Sequence, residues 1–304
     1  TMLGGQCPPA QAGIAYSAMA PMCREAEMRH DVLAILDVER RFFQDSQPWY
    51  LVSVRGGDRI HPRFNLGGGM GLTSAFAMFA HSNLDMSNAE HREQFRWVLA
   101  HEYFHEWNGI TLRVASLPGT SRDDAATYWF SEGVTEFYAI RLLTRAGLQT
   151  PERSLSLLNT KLSRYESNSK RNLGAIEAGA QFWKSKEGEQ IPYLRGYLAA
   201  WFVDRTLSRE SSESKGLDDL MIDLVKRAKS DAEFRVDNEF LTKYLSQGLG
   251  ANDARSLRKF IFEGGEAPLT VRMFEPCLED VGRSENSGFQ LRLAAQSSTA
   301  CFMH

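Results

Sequence analysis

The sequence predicts an α+β fold, and three observations carry that prediction. Apolar residues recur at helical spacing through the middle of the chain, strand-like segments flank a glycine-rich stretch near its start, and strand alternation returns near its end. The expected organisation is an irregular segment over residues 1–29, rich in Ala, Gly, Pro and Met, then a body over 30–265 with a small N-terminal sheet followed by helices, and a short β-rich tail over 266–304.

The elements follow in order. Apolar spacing over residues 32–43 suits a helix, and Tyr50-Leu51-Val52-Ser53-Val54 reads as a strand. Gly67-Gly68-Gly69-Met70-Gly71 reads as a turn into a second strand over 72–79, with Leu72, Phe76 and Met78 on one face. Ser87-Asn88-Ala89-Glu90 has the form of a capping box with Ser87 as N-cap, opening a helix to about Asn108, where Gly109 stops it. A second helix is expected over about 126–145, ending near Gly147, and Thr150-Pro151-Glu152 opens a third. Further helices fit 191–209, 217–229, 238–247 and 253–262, and strand alternation fits 269–273 and 289–293.

Composition narrows the function classes. The 304 residues are 43% hydrophobic and 24% charged, which describes a globular chain. With a formal net charge of −3 and no dominant Lys/Arg run, nucleic acid is not an expected partner. No apolar run reaches the roughly eighteen residues of a membrane span. The chain opens on Thr1, which fits a processed protein or a piece of a longer one. Cys7, Cys23, Cys277 and Cys301 lie near the two ends without CxxC spacing, which argues against a cysteine zinc site. Two disulfides, Cys7–Cys23 and Cys277–Cys301, and four free thiols are both compatible with that placement.

The strongest chemical signal is His101-Glu102-Tyr103-Phe104-His105. Residues i and i+4 of a helix share a face, so both imidazoles can reach one Zn2+ ion. Glu102 points beside the ion, where a base for metal-bound water belongs. It also stands in an otherwise apolar run, and a buried carboxylate is costly unless paired or near a metal. A catalytic zinc needs a third protein ligand and an open position. Glu132, within Trp129-Phe130-Ser131-Glu132-Gly133-Val134-Thr135-Glu136, supplies it best; Asp124, beside Asp123 in a polar loop, is the rival. Glu136 follows one turn later on the same face, placed to accept a hydrogen bond from a ligand imidazole and fix its tautomer. His30, His61, His81, His91 and His304 have no ligand spacing among themselves.

With Glu106-Trp107-Asn108 after the second histidine, Ser131-Glu132-Gly133-Val134-Thr135, and Pro192-Tyr193-Leu194-Arg195-Gly196, the chain resembles the glycyl aminopeptidase family of gluzincin metallopeptidases over roughly residues 30–265. It is more distantly similar to the aminopeptidase N group. The resemblance implies a thermolysin-like catalytic domain, Glu132 as third ligand, and a periplasmic or secreted location. It also implies that Tyr193, in a motif reading Tyr-x-Arg-Gly where the family has Tyr-x-Lys-Gly, stabilises an oxyanion. A neutral phenol can donate to that developing charge.

The family also places a glutamate in a Gly-rich cleft motif to hold a substrate's free amine. The corresponding stretch is Gly68-Gly69-Met70-Gly71-Leu72, with glycine in that place. A charge-assisted hydrogen bond of about 1.5–3 kcal/mol is thereby missing, which weakens the expectation of an aminopeptidase relative to that of a peptidase. The stretch lacks the Gly-Lys-Ser/Thr of a nucleotide loop. It is either a tight turn or a place where peptide backbone approaches an edge strand over 72–79, making Gly68, Gly69, Met70 and Gly71 candidate substrate contacts. Residues 1–29 and 266–304 are each too short for the N-terminal β-domain or the PDZ domain of related enzymes. The expected function is zinc-dependent hydrolysis of peptides with one ion, Glu102 as general base and Tyr193 at the oxyanion. A zinc-stabilised peptide-binding module is the alternative, against which the intact Glu102 argues.

Overall fold

The structure is a computed structural model. It describes residues 11–17, 25–46, 49–57, 66–81, 84–114, 123–211, 215–275, 278–280 and 290–294. The four cysteines, His61 and His304 lie outside these, and with them the disulfide question. The described elements are mainly helical with small sheets, as the α+β expectation requires. The chain divides into two compact units, Thr1–Ile110 with Leu142–Gln149, and Thr111–Arg141 with Thr150–His304.

The first unit is a sheet backed by two helices. Strands β1 (Gln11–Ser17), β2 (Trp49–Gly57), β3 (Leu66–Leu72) and β4 (Ala75–His81) form a sheet in the order β1-β2-β4-β3. β1 and β4 run parallel to β2, and β3 is antiparallel to β4. Two expectations are corrected here. The segment read as irregular contains β1, whose pairing with β2 outweighs its Ala/Gly-rich composition. The glycine-rich stretch is the edge strand β3, with a register shift between Leu66 and Gly69, and the turn falls later, at Ser74 with φ +58°. Pairing with β4 makes a strand of a sequence with little strand propensity.

Alternation then sorts β2 and β4 by face. Tyr50, Val52, Val54, Phe76, Met78 and Ala80 are buried on one side, while Trp49, Leu51 and Phe79, with Leu72 of β3, are exposed. Leu72 thus departs from the face it was expected to share with Phe76 and Met78.

Helices α1 (Glu25–Phe43) and α2 (Ala89–Phe104) cover the buried face, with the Tyr50 and Tyr103 rings 4.4 Å apart. They run in step: Asp31 receives Arg92 and Arg96, Arg40 Nε donates to the Tyr103 hydroxyl at 2.8 Å, and Phe43 stacks on Trp107 at 4.7 Å. Asp31 is wholly buried and takes hydrogen bonds of 2.6 to 2.8 Å from the two guanidiniums.

In the second unit, α3 (Thr135–Arg145) is followed by α4 (Pro151–Ser167), α5 (Ala175–Gln181), α6 (Lys186–Glu210), α7 (Leu217–Ser230), α8 (Asn238–Leu245) and α9 (Ala251–Glu263). α3 contributes its last turn to the first unit. α6 is buried along most of its length, from Ile191 through Tyr197 and Trp201 to Leu207, as a helix at the centre of a bundle must be. It starts before the expected residue 191 because Ser185 caps it, accepting from Gly188 N at 3.0 Å. Inside this core Asp204 forms an ion pair with Arg141, Oδ1 to Nη1 2.9 Å, and accepts a hydrogen bond from Leu217 N, the first residue of α7.

Residues 271–273, expected as a strand, form a single 3-10 turn, while β7 (Leu278–Asp280) and β8 (Leu291–Leu293) pair antiparallel. Asn159 of α4 exchanges two hydrogen bonds with the backbone of Leu291, as a neighbouring strand would. A two-residue parallel pair, β5 (Arg113–Val114) with β6 (Arg235–Val236), completes the described elements.

Burial alone would raise the Asp31 carboxyl, but Arg92 and Arg96 with His30 hold it down, at about 2. A depressed carboxyl contributes stability above its unfolded value, near 3.9, and loses that contribution as pH falls towards 2. Asp31→Asn is expected to lower stability at pH 7 by about 3 kcal/mol and to flatten the acid limb between about pH 4 and 2, read by urea unfolding across that range.

Candidate metal centre

α2 begins one residue later than the capping pattern indicated. Ser87 is engaged by Asp85, to which its Oγ donates at 2.7 Å, so Asn88 takes the cap and accepts from Glu90 N and His91 N. The helix carries His101 on its buried side and Glu102 half-buried beside it. After Phe104 the backbone opens into a wider turn over Glu106–Thr111, in which Ile110 N bonds back to His105 O at 3.0 Å. Gly109, at φ +153°, permits that turn.

The opening orients the second histidine. His105 Nδ1 lies 3.1 Å from Asn108 O. A carbonyl only accepts, so Nδ1 carries the proton and Nε2 keeps its lone pair. The Nε2 atoms of His101 and His105 are 3.2 Å apart. Two nitrogens about 2.05 Å from one tetrahedral ion would be separated by about 3.3 Å, so the pair is spaced as two ligands of zinc would be.

Glu132 comes from a second wide turn, Trp129–Val134, between a 3-10 turn at Asp123–Thr127 and α3. The continuous helix expected over 126–145 is thus three pieces. The cause is a close backbone crossing. A Cβ on Gly133 would lie 2.5 Å from Gly196 Cα, and one on Gly196 would lie 1.6 Å from Trp129 O. Side chains at both positions are excluded, and the widened turn seats its carbonyl against α6. Trp129 Nε1 donates to Asn238 Oδ1 at 2.7 Å, and Asn238 Nδ2 donates to Ala126 O at 3.1 Å, which secures the turn from the other side.

The ligand atoms of His101, His105 and Glu132 all lie within 4.8 Å of one another, a group able to hold a metal ion. Tyr193 sits half-buried on α6, one turn before Gly196, with its ring stacked 6.2 Å from Phe182. Arg195, the departure from the family motif, is buried and donates to Arg171 O and Leu173 O, so it serves the loop before α5. Glu136 is buried on α3 and accepts from Lys161 Nζ at 2.5 Å, so an ammonium engages the carboxylate expected beside an imidazole. Gly68, Gly69, Met70 and Gly71 lie on β3, and a Cβ on Gly71 would be 3.9 Å from Glu102 O, so the edge strand runs against α2.

Sequence reasoning missed Glu106. Its carboxylate accepts from Ser74 N at 3.0 Å and ties the β3–β4 turn to the residue after His105. A second acid one residue beyond a ligand was the available signal.

Residues 94–193, from α2 to Tyr193, match the family described as M61 glycyl aminopeptidase. No significant match is found among curated proteins. Among solved structures, an aminopeptidase N family protein from Idiomarina loihiensis is similar, at 20% identity and a TM-score of 0.74 over 98% of this chain and 53% of its own. An M1 zinc metallopeptidase from Deinococcus radiodurans, bound to a Tyr-Ser-Ala substrate, aligns at 17% identity and 0.51 over 86% of this chain and 49% of its own. Aminopeptidase A of Legionella pneumophila, in complex with aspartic acid, aligns at 16% and 0.53 over 87% and 27%. At these identities the shared property is the fold. This chain spans about half the length of the first of them.

Gly196→Ala is expected to destabilise the chain by several kcal/mol, because its new methyl meets backbone that cannot turn aside; thermal unfolding beside a surface Ala control measures it.

Proposed function

We propose that this chain hydrolyses peptide bonds, with one zinc ion held by His101, His105 and Glu132 in a thermolysin-like catalytic domain. The observation that carries the reading is the grouping of those three ligand atoms, together with a glutamate directly after the first histidine on its helix. Bound there, zinc would supply Lewis acidity to water and to the scissile carbonyl. Glu102 takes the proton of the attacking water and returns it to the leaving nitrogen. Tyr193 donates its phenolic proton in a hydrogen bond to the oxyanion of the tetrahedral intermediate. The Asn108 carbonyl keeps the His105 proton on Nδ1 and leaves Nε2 for the metal.

Peptide is the substrate class that the family match supports, and the Deinococcus relative is bound to a tripeptide. β3 is an edge of its sheet beside α2, so an extended peptide can pair with its backbone. Glycine at 71 leaves no carboxylate there for a free amine, which favours cleavage inside peptides over strict removal of the first residue.

A pool of peptides, half with free and half with acetylated N-termini, tests this by mass spectrometry. Cuts in both halves, absent with Glu102→Gln although that variant keeps its zinc, are the expected result. Equal cleavage by Glu102→Gln would remove its role as base, and no cleavage by either protein would favour a binding module. Tyr193→Phe is expected to lower kcat by roughly 10²–10³ while zinc content stays unchanged, as measured by steady-state kinetics and metal analysis.

A further inference from the structure

α1 buries a stripe of Met28, Val32, Ile35, Leu36 and Phe43 at helical spacing. Glu39 falls in the same stripe and is wholly buried, and neither of its carboxylate oxygens has a hydrogen-bond partner. Leucine would suit this position better, so the carboxylate is a cost to the fold that packing does not explain.

Its level along α2 can be read from the neighbouring pairs. Asp31 meets Arg92 and Arg96, Arg40 meets Tyr103, and Phe43 meets Phe104 and Trp107. Glu39 therefore stands abreast of the turn that holds His101 and Glu102. Arg40, next in sequence, directs its Nε to the Tyr103 hydroxyl and does not serve Glu39. Burial pushes the Glu39 carboxyl well above its usual range, and the positive charge that opposes this is that of His101. Tyr50 and Tyr103, also within electrostatic reach, are raised by burial and stay neutral phenols.

We propose that Glu39 is the buried counter-charge of the metal centre, a positioning residue that acts through His101 to strengthen metal binding. The proposal rests on the metal site read above. A negative charge behind a ligand imidazole makes that ring a better donor, and a dication beyond the ring is the partner this carboxylate otherwise lacks. Sites built for function keep such costs where the surrounding fold can bear them.

The test uses the full chain, wild type and Glu39→Gln, stripped of metal and titrated with zinc against a chromophoric chelator. Thermal unfolding of the metal-free proteins runs in parallel. Glu39→Gln is expected to weaken zinc binding by about 10- to 100-fold while leaving the metal-free Tm unchanged or higher. Zinc affinity within about twofold of wild type overturns the proposal, since partners behind a ligand normally act well beyond that. So does a loss of affinity accompanied by a fall in metal-free Tm, which a merely structural residue would produce. Should the Gln variant not fold, Glu39→Leu, which fills the same apolar stripe, carries the same two readings. A wild type that takes no zinc defeats the metal site itself, an outcome distinct from a zinc-binding wild type matched by its variant.

Discussion

Two imidazole nitrogens must stand a little over 3 Å apart on consecutive turns of one helix, and much of the first unit serves that spacing. A helix provides it only if it stays straight and does not roll. α2 and the wide turn after it are accordingly held at successive heights: by Asp31 through Arg92 and Arg96, by Arg40 at Tyr103, by Asp45 at Trp107, and by Ser74 at Glu106. Each is a polar contact of fixed direction, which sets rotation about the helix axis in a way that apolar packing alone does not. The aromatic contacts of Phe43 with Phe104 and Trp107 fill the space between them.

The second unit meets a similar demand by a different route. Glu132 stands in a stretched turn, and such turns need something to lie against. Here it is the backbone of α6, reached because Gly133 and Gly196 have no side chains. That crossing fixes Glu132 and Tyr193 relative to each other, since each is within a turn of its glycine. The Tyr-x-Arg-Gly stretch thus combines a phenol, a guanidinium spent on the loop before α5 and a glycine for close approach, three separate duties in four residues.

The grouping of His101, His105 and Glu132 was legible in the sequence because helical spacing translates directly into geometry, and because charged residues inside apolar runs require a reason. What was not legible depended on contacts distant in sequence. Ser87 could not be told from Asn88 as the cap without knowing that Asp85 would capture the serine. The glycine-rich stretch became a strand through its neighbour β4, and the helix at 126–145 broke because of a glycine more than sixty residues on. α5 was missed, a short helix with little periodicity to reveal it. Glu39 could have been found: its spacing from Ile35, Leu36 and Phe43 places an acid on an apolar stripe.

One feature of the sheet bears on how the protein behaves in bulk. Trp49, Leu51, Leu72 and Phe79 leave one side of it greasy, in a chain whose sequence pI is about 6.2. Near that pH little net repulsion keeps two such sides apart, so mildly acidic buffer favours clumping and loss of material, whereas a buffer near pH 8 lets the acidic surplus act as a colloidal spacer.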